Sequence, residues 1–143
     1  MYRAHPDLKF GIEANLLADE IGIVANWRAV RETARRPAIV FGTSSDRIGT
    51  PSGQAYFVTA SKSLHHLTGL PIAPYAGVSY SGYEDRLLYP FGVNVALPRG
   101  LSVMVMNDGV HTHFSASYAR QNVSVTLLMV ERRSPGLTLG FTF

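Results

Sequence analysis

The chain has 143 residues, the length of one domain, so we expect residues 1–143 to form a single domain. Hydrophobic residues make up 46% and charged residues 16% of the chain, a composition that excludes extensive disorder. The lack of cysteine excludes disulfides, thiolate metal sites and thiol nucleophiles, and the net charge of +3 comes mostly from scattered arginines, which argues against nucleic-acid binding.

The first third of the chain is predicted to form a hairpin and a third strand. Apolar and polar residues alternate over residues 8–17, and the alternation resumes over residues 21–29. Strands of about ten residues have the length needed to cross a bilayer at a tilt. The third strand covers residues 37–45, after a basic turn. Residues 26–35 could instead form a short helix.

Seven further strands follow, separated by turns rich in Gly, Pro, Ser and Asn. The facing of the strand over residues 54–64 is ambiguous because Tyr56 and Phe57 are adjacent. The sequence Asn107-Asp108-Gly109 is a strong hairpin signal. The other predicted strands cover residues 75–83, 91–97, 101–106, 110–119, 123–130 and 137–143, which brings the count to ten.

The last strand resembles the C-terminal signal of bacterial outer-membrane β-barrels. Leu137, Leu139, Phe141 and Phe143 fall on one face, and the chain ends on the last of them. The resemblance implies recognition by the barrel-assembly machinery.

The distribution of polar residues favours a barrel in lipid over a soluble one. Gly, Ser, Thr and Asn dominate the polar face of the strands, whereas most charges lie in turns. We therefore expect an all-β, antiparallel, up-and-down transmembrane β-barrel of about ten strands, with the lipid bilayer as its partner. Aromatic residues near the strand ends could form an interfacial girdle; they are Trp27, Tyr75, Tyr80, Tyr83, Tyr89 and Phe91.

Strand alternation also predicts an asymmetry of charge between the two ends of the sheet. Counted back from the C-terminus, one end collects the acidic turns at Asp19-Glu20, Asp46, Glu84-Asp85 and Asp108. The other end collects basic residues, namely Arg31, Arg35, Arg36, Arg99 and Arg120.

Residues 37–62 and the preceding Arg36, with the sequence RPAIVFG followed by DRIGTPSGQAYFVTASK, resemble the YjbH-type outer-membrane proteins. The segments PDLKFGIEANLL and PFGVNVAL resemble other strands of that family. The resemblance implies a Gram-negative cell-envelope protein linked to exopolysaccharide production, with the polysaccharide as a candidate partner. Family members are longer and carry a signal peptide, which residues 1–6 do not resemble. We therefore expect a mature or truncated form in the outer membrane.

Three charges lie on the polar face of the first hairpin, Lys9, Glu13 and Arg28. Charges inside a narrow barrel must pair, because desolvation costs several kcal/mol for each ion. We predict a charge network in the lumen, with a Glu13–Arg28 pair that is either direct or bridged by water.

The histidines raise two weaker alternatives. His111 and His113, with Asp108 nearby, could ligate a metal, and His113 with Ser115 could serve a hydrolase. A third metal ligand and a Gly-X-Ser-X-Gly elbow are both missing from the sequence pattern. We interpret these residues as polar lumen fillers and predict no catalytic residue, metal or cofactor.

The resulting prediction is a non-catalytic outer-membrane barrel. A narrow outer-membrane channel is the first alternative. The second is a soluble β-barrel or sandwich that binds a small ligand, with Phe10, Ile12, Val93, Val103 and Phe114 in its core.

Overall fold

The computed structural model describes residues 2–15, 20–46, 50–130 and 134–141, which form one antiparallel sheet of twelve strands. The helical segments described are α1 (His65–Thr68) and a 3-10 turn (Pro98–Gly100). The strands are β1 (Tyr2–His5), β2 (Leu8–Asn15), β3 (Glu20–Val30), β4 (Ala38–Ser45), β5 (Gln54–Ser61), β6 (Ile72–Ser81), β7 (Arg86–Leu88), β8 (Phe91–Ala96), β9 (Leu101–Asn107), β10 (Thr112–Arg120), β11 (Val123–Val130) and β12 (Ser134–Phe141).

Each strand pairs with its neighbour in the chain, apart from one interruption at β7. β7 and β8 both pair antiparallel with β6, and Tyr89 and Pro90 separate them. The two short strands are therefore one pass across the sheet. Among the described residues no pairing joins β12 to β1 or β2, so the hydrogen-bonded sheet is open.

The all-β antiparallel prediction is confirmed, and all ten predicted strands are present. The two strands that the prediction missed, β1 and β7, have four and three residues, too few for a visible alternation. Proline has no N–H to donate to a β-ladder, so Pro90 interrupts the strand pattern between β7 and β8.

Some predicted boundaries and one alternative were wrong. β6 begins at Ile72, three residues before the predicted start, and accommodates Pro74. β5 ends at Ser61 rather than at residue 64. The alternative helix over residues 26–35 is replaced by β3, which continues to Val30 and pairs with β4.

One face of the sheet carries large apolar side chains, and most of them are exposed. The buried hydrophobic residues among those described are only Ala55 and Leu88. The apolar face includes Phe10, Ile12, Ile21, Ile23, Tyr56, Val78, Tyr80, Val103, Val105, Leu127, Met129, Leu137, Leu139 and Phe141. The register also settles the facing of β5, since Tyr56 pairs with Tyr80 on this apolar face while Phe57 pairs with Ser79 on the opposite one.

The opposite face, the polar face, is crossed by two aromatic rings. A Cβ on Gly42 would lie 2.4 Å from the ring of Phe57, and a Cβ on Gly92 would lie 2.7 Å from the ring of Tyr75. Any larger residue at Gly42 or Gly92 would collide with these rings. Tyr75 is therefore not part of an outer aromatic girdle, contrary to the prediction.

The strand order gives the two ends of the sheet opposite charge. Turns at Asp46, Glu84-Asp85 and Asp108 lie at one end, the acidic end. Arg31, Arg35, Arg36, Arg99 and Arg120 lie at the other, the basic end. This agrees with the predicted sidedness because β7 runs in the same direction as β8; Asp19 lies outside the described residues. No helix in the described ranges is long and apolar enough to cross a membrane.

Candidate functional site on the polar face

Lys9, Glu13 and Arg28 all lie on the polar face, but they do not form one network. Lys9 pairs in register with Asn26, and Glu13 pairs with Gly22. Arg28 lies six positions after Gly22 in β3, a distance of about 20 Å along a strand. The predicted Glu13–Arg28 pair is therefore wrong, because the two charges lie at opposite ends of the hairpin.

Arg28 instead binds Asp7 in the turn between β1 and β2. Its Nε donates to Asp7 Oδ1 at 2.8 Å, and its backbone N–H donates to the Asp7 carbonyl, also at 2.8 Å. Arg31 makes a second salt bridge to the same carboxylate. Hydrogen bonds from Arg31 and then from Arg28 lower the pKa of Asp7 from 3.8 to about 2.

The acid sensitivity of the fold should depend on Asp7. Because its folded-state pKa is depressed, Asp7 contributes its full stabilisation above pH 3.8 and loses it as the pH falls toward 2. In urea denaturation followed between pH 5 and pH 2, Asp7→Asn should lose less stability than the wild type.

The matched control is Asp85→Asn, which changes a turn aspartate that accepts a hydrogen bond from Tyr80. That variant should keep the wild-type acid profile. If the wild type and Asp7→Asn lost the same stability between pH 5 and pH 2, the lowered pKa of Asp7 would not be the cause of the acid sensitivity.

Glu13 has its partner on β4, beside side-chain contacts that join β4 to β5. Ser45 Oγ donates to Glu13 Oε2 at 2.8 Å. The Gln54 amide donates to Thr43 Oγ1 at 2.6 Å and to the Ser44 carbonyl at 2.7 Å. Only the Ser45 hydroxyl among these groups contacts Glu13, and the Glu13 side chain is exposed, so its charge needs no cation at this position.

His113 is fully buried and forms a close pair with Asp108. Its Nε2 lies 2.9 Å from Asp108 Oδ2, while its Nδ1 has no hydrogen-bond partner. The other oxygen, Asp108 Oδ1, accepts the N–H groups of Val110 and His111. Burial would raise the pKa of Asp108, but hydrogen bonds from His111, His113 and Val110 lower it overall.

The structure does not bring His111, His113 and Ser115 together as one site. His111 precedes β10, and its backbone N–H donates to Asp108 Oδ1 within the turn. Ser115 lies about 7 Å along the strand from His113, and no hydrogen bond joins the two in the described structure. In the described ranges no three His, Cys, Asp or Glu side chains are placed to hold a metal ion.

The predicted C-terminal signal residues lie in β12 as far as the structure describes them. Leu137, Leu139 and Phe141 pair with Leu127, Val125 and Val123 of β11, and all three are more than half exposed. Phe143 lies outside the described residues.

Two aspartates matter more than the sequence pattern suggested. Asp7 was overlooked because a Pro-Asp pair reads only as a turn signal. Asp46 connects the end of β4 to the end of β6 and the turn after it. It accepts hydrogen bonds from the buried Ser81 hydroxyl and the Tyr83 N–H, each at 2.9 Å. A turn aspartate with distant arginine or serine partners cannot be distinguished from a solvated one by sequence spacing alone.

Comparisons with protein-family models, with curated proteins and with solved structures found no match to this chain.

Proposed function

We propose that this protein is a non-catalytic β-barrel of the bacterial outer membrane, with a role in exopolysaccharide production or export. The observation that carries the membrane assignment is the exposed apolar face. Leu127, Leu137 and Leu139 are each more than 55% exposed, and they are neighbours on β11 and β12. A contiguous surface of this kind is unfavourable in water and favourable against acyl chains.

The geometry of the sheet supports closure into a barrel. From β2 to β12 the chain makes ten passes when β7 and β8 are taken as one, so β2 and β12 run antiparallel. The edge hairpin β1–β2 and the opposite edge strand β12 line one cleft of about 600 Å³, the seam cleft, to which β1 contributes Arg3, β2 contributes Ile12 and Glu13, and β12 contributes Thr138 and Leu139. Closure there would remove the open edges of the sheet.

Exposed aromatic side chains lie toward both strand ends on the apolar face. Such rings favour the boundary between headgroups and acyl chains. The set toward the basic end is Phe10, Trp27, Phe41, Tyr118 and Phe141, and the set toward the acidic end is Tyr56 and Tyr80, with Tyr83 exposed in the turn that follows β6.

A filled lumen fits this barrel better than an open channel. The rings of Phe57 and Tyr75 lie over Gly42 and Gly92 on the polar face, where a pore would need open space. A soluble ligand-binding protein would bury Phe10, Ile12 and Val103, which are all exposed here.

The exopolysaccharide role rests on the resemblance of residues 37–62 to YjbH-type proteins. It fits a polar face that is rich in hydroxyl and amide groups. A catalytic role would require a nucleophile or base free to reach a substrate, whereas His113 is fully buried against Asp108.

The membrane assignment predicts that the refolded protein floats with liposomes in a sucrose gradient. It should also migrate faster in unheated than in heated SDS gels, because a folded barrel resists SDS. A monodisperse monomer in detergent-free buffer that remains at the bottom of the gradient would refute the assignment.

A further inference from the structure

Two cations face each other across the first two strands of the polar face. Arg3 of β1 pairs in register with Lys9 of β2, and Lys9 pairs with Asn26 of β3. Like charges directly opposite each other in a β-ladder are destabilising. No carboxylate among the described side chains lies within ion-pair distance of either cation.

Arg3 and Lys9 line a cleft of about 530 Å³, the basic cleft, together with Asn26 and Arg28. This volume falls within the roughly 300–1,000 Å³ that small-molecule sites occupy. The carboxylate in the lining is Asp7, and both Arg28 and Arg31 already bind it. Among the described side chains, Arg3 and Lys9 therefore keep their positive charge in the cleft without a carboxylate partner.

We propose that Arg3 and Lys9 bind the carboxylate groups of an acidic oligosaccharide, an inference that rests on the proposed exopolysaccharide role. An arginine fork can hold one carboxylate through two hydrogen bonds, and the lysine adds a second positive charge beside it. The Asn26 amide can hydrogen-bond a sugar hydroxyl, while Pro6 and Val40 offer apolar surface to its C–H groups. A bound carboxylate would also relieve the repulsion between Arg3 and Lys9.

The position of the site favours a sugar acid over a lipid phosphate. The two cations lie on the polar face, opposite to the surface that the bilayer would cover. Both side chains also line the seam cleft. Closure at the seam would leave the basic cleft, beside the Pro6-Asp7 turn at the basic end of the sheet, as the route by which an anionic chain reaches them.

The test is isothermal titration calorimetry on the full chain in lauryl dimethylamine oxide micelles. The probes are tri-galacturonic acid, the neutral trisaccharide maltotriose, and inorganic phosphate. The wild type should bind tri-galacturonic acid at least about tenfold more tightly than the other two probes. Arg3→Gln and Lys9→Gln should each weaken that binding about tenfold or more, because each removes a charge-assisted hydrogen bond.

Arg35→Gln is the matched control, since it removes one exposed positive charge outside the basic cleft. It should leave the affinity unchanged. Without ligand, Arg3→Gln should show the wild-type melting temperature or a higher one, because it removes a like-charge contact.

Four results would overturn the proposal. They are equal weakening by Arg3→Gln and Arg35→Gln, no preference over maltotriose, equal affinity for phosphate, and a lower melting temperature for unliganded Arg3→Gln. Liposome flotation tests the membrane assignment separately. A protein that floats but does not bind the acidic trisaccharide would refute this site and leave the membrane assignment intact.

Discussion

Replacing Leu127 with arginine is expected to lower the free energy of unfolding in lipid vesicles by about 2–4 kcal/mol. Leu127 lies in the middle of β11 on the apolar face, with its side chain 61% exposed. Its register partners are Ala116 and Leu137, so nearby strands offer no carboxylate to pair with a new cation. In a bilayer, that arginine would be transferred into the hydrocarbon region.

Leu67→Arg is the matched control, because Leu67 is 75% exposed but lies in α1, outside the strands. It should change stability by less than about 0.5 kcal/mol, the usual range for surface positions. Urea unfolding of both variants in the same vesicles, followed by tryptophan fluorescence, gives the comparison. Equal small effects would mean that the apolar face meets water, and the membrane assignment would fail.

Asp108→Ala is expected to be the most damaging single change at the acidic end, with a loss of about 3 kcal/mol. The substitution leaves the buried His113 Nε2 without its partner and removes the acceptor for the Val110 and His111 N–H groups. A buried donor that loses its acceptor carries the full desolvation penalty. Chemical denaturation in detergent micelles measures the loss.

Asp85→Ala, at another turn of the same end, should cost less than about 1 kcal/mol because its hydrogen bond to Tyr80 is exposed. The double variant Asp108→Ala/His113→Ala should lose less than the two single losses together, since the two side chains share one interaction. If the loss of stability in the double variant equals the sum of the two single losses, Asp108 and His113 do not stabilise the fold through a shared interaction.

The pH dependence gives an independent check on Asp108. Its folded-state pKa lies below 3.8, so its stabilisation is present above that pH and is lost as the pH falls below it. The Asp108→Ala variant should therefore differ from the wild type more at pH 6 than at pH 2.5. A constant difference across this range would exclude the lowered pKa as the cause.

The alternation of apolar and polar residues was enough to predict the strands that carry the sheet. It placed Ile12, Val103 and Leu139 on one face because side chains in a strand alternate with a period of two. Alternation could not reveal β7, since three residues before Pro90 are too few to show a period. It also could not decide whether Tyr56 or Phe57 lies on the apolar face. The pairing of β5 with β6 places Tyr56 there.

The candidate site depended far more on tertiary structure. The sequence identified Lys9, Glu13 and Arg28 as polar-face charges, but their partners are set by the register between strands. Arg28 binds Asp7 because the β1–β2 turn lies level with the end of β3, and Glu13 accepts a bond from Ser45 on β4. A one-residue change in register would move each of these side chains to the other face.

By itself, the sequence determined the all-β class, the antiparallel order and the apolar face of this protein. These properties follow from short-range periodicity and turn chemistry, which are local in the chain. Only the tertiary structure decided which charges meet, that His113 is buried, and that Arg3 lies opposite Lys9. Such contacts join residues that are distant in sequence or separated by a turn, and strand register alone brings them together.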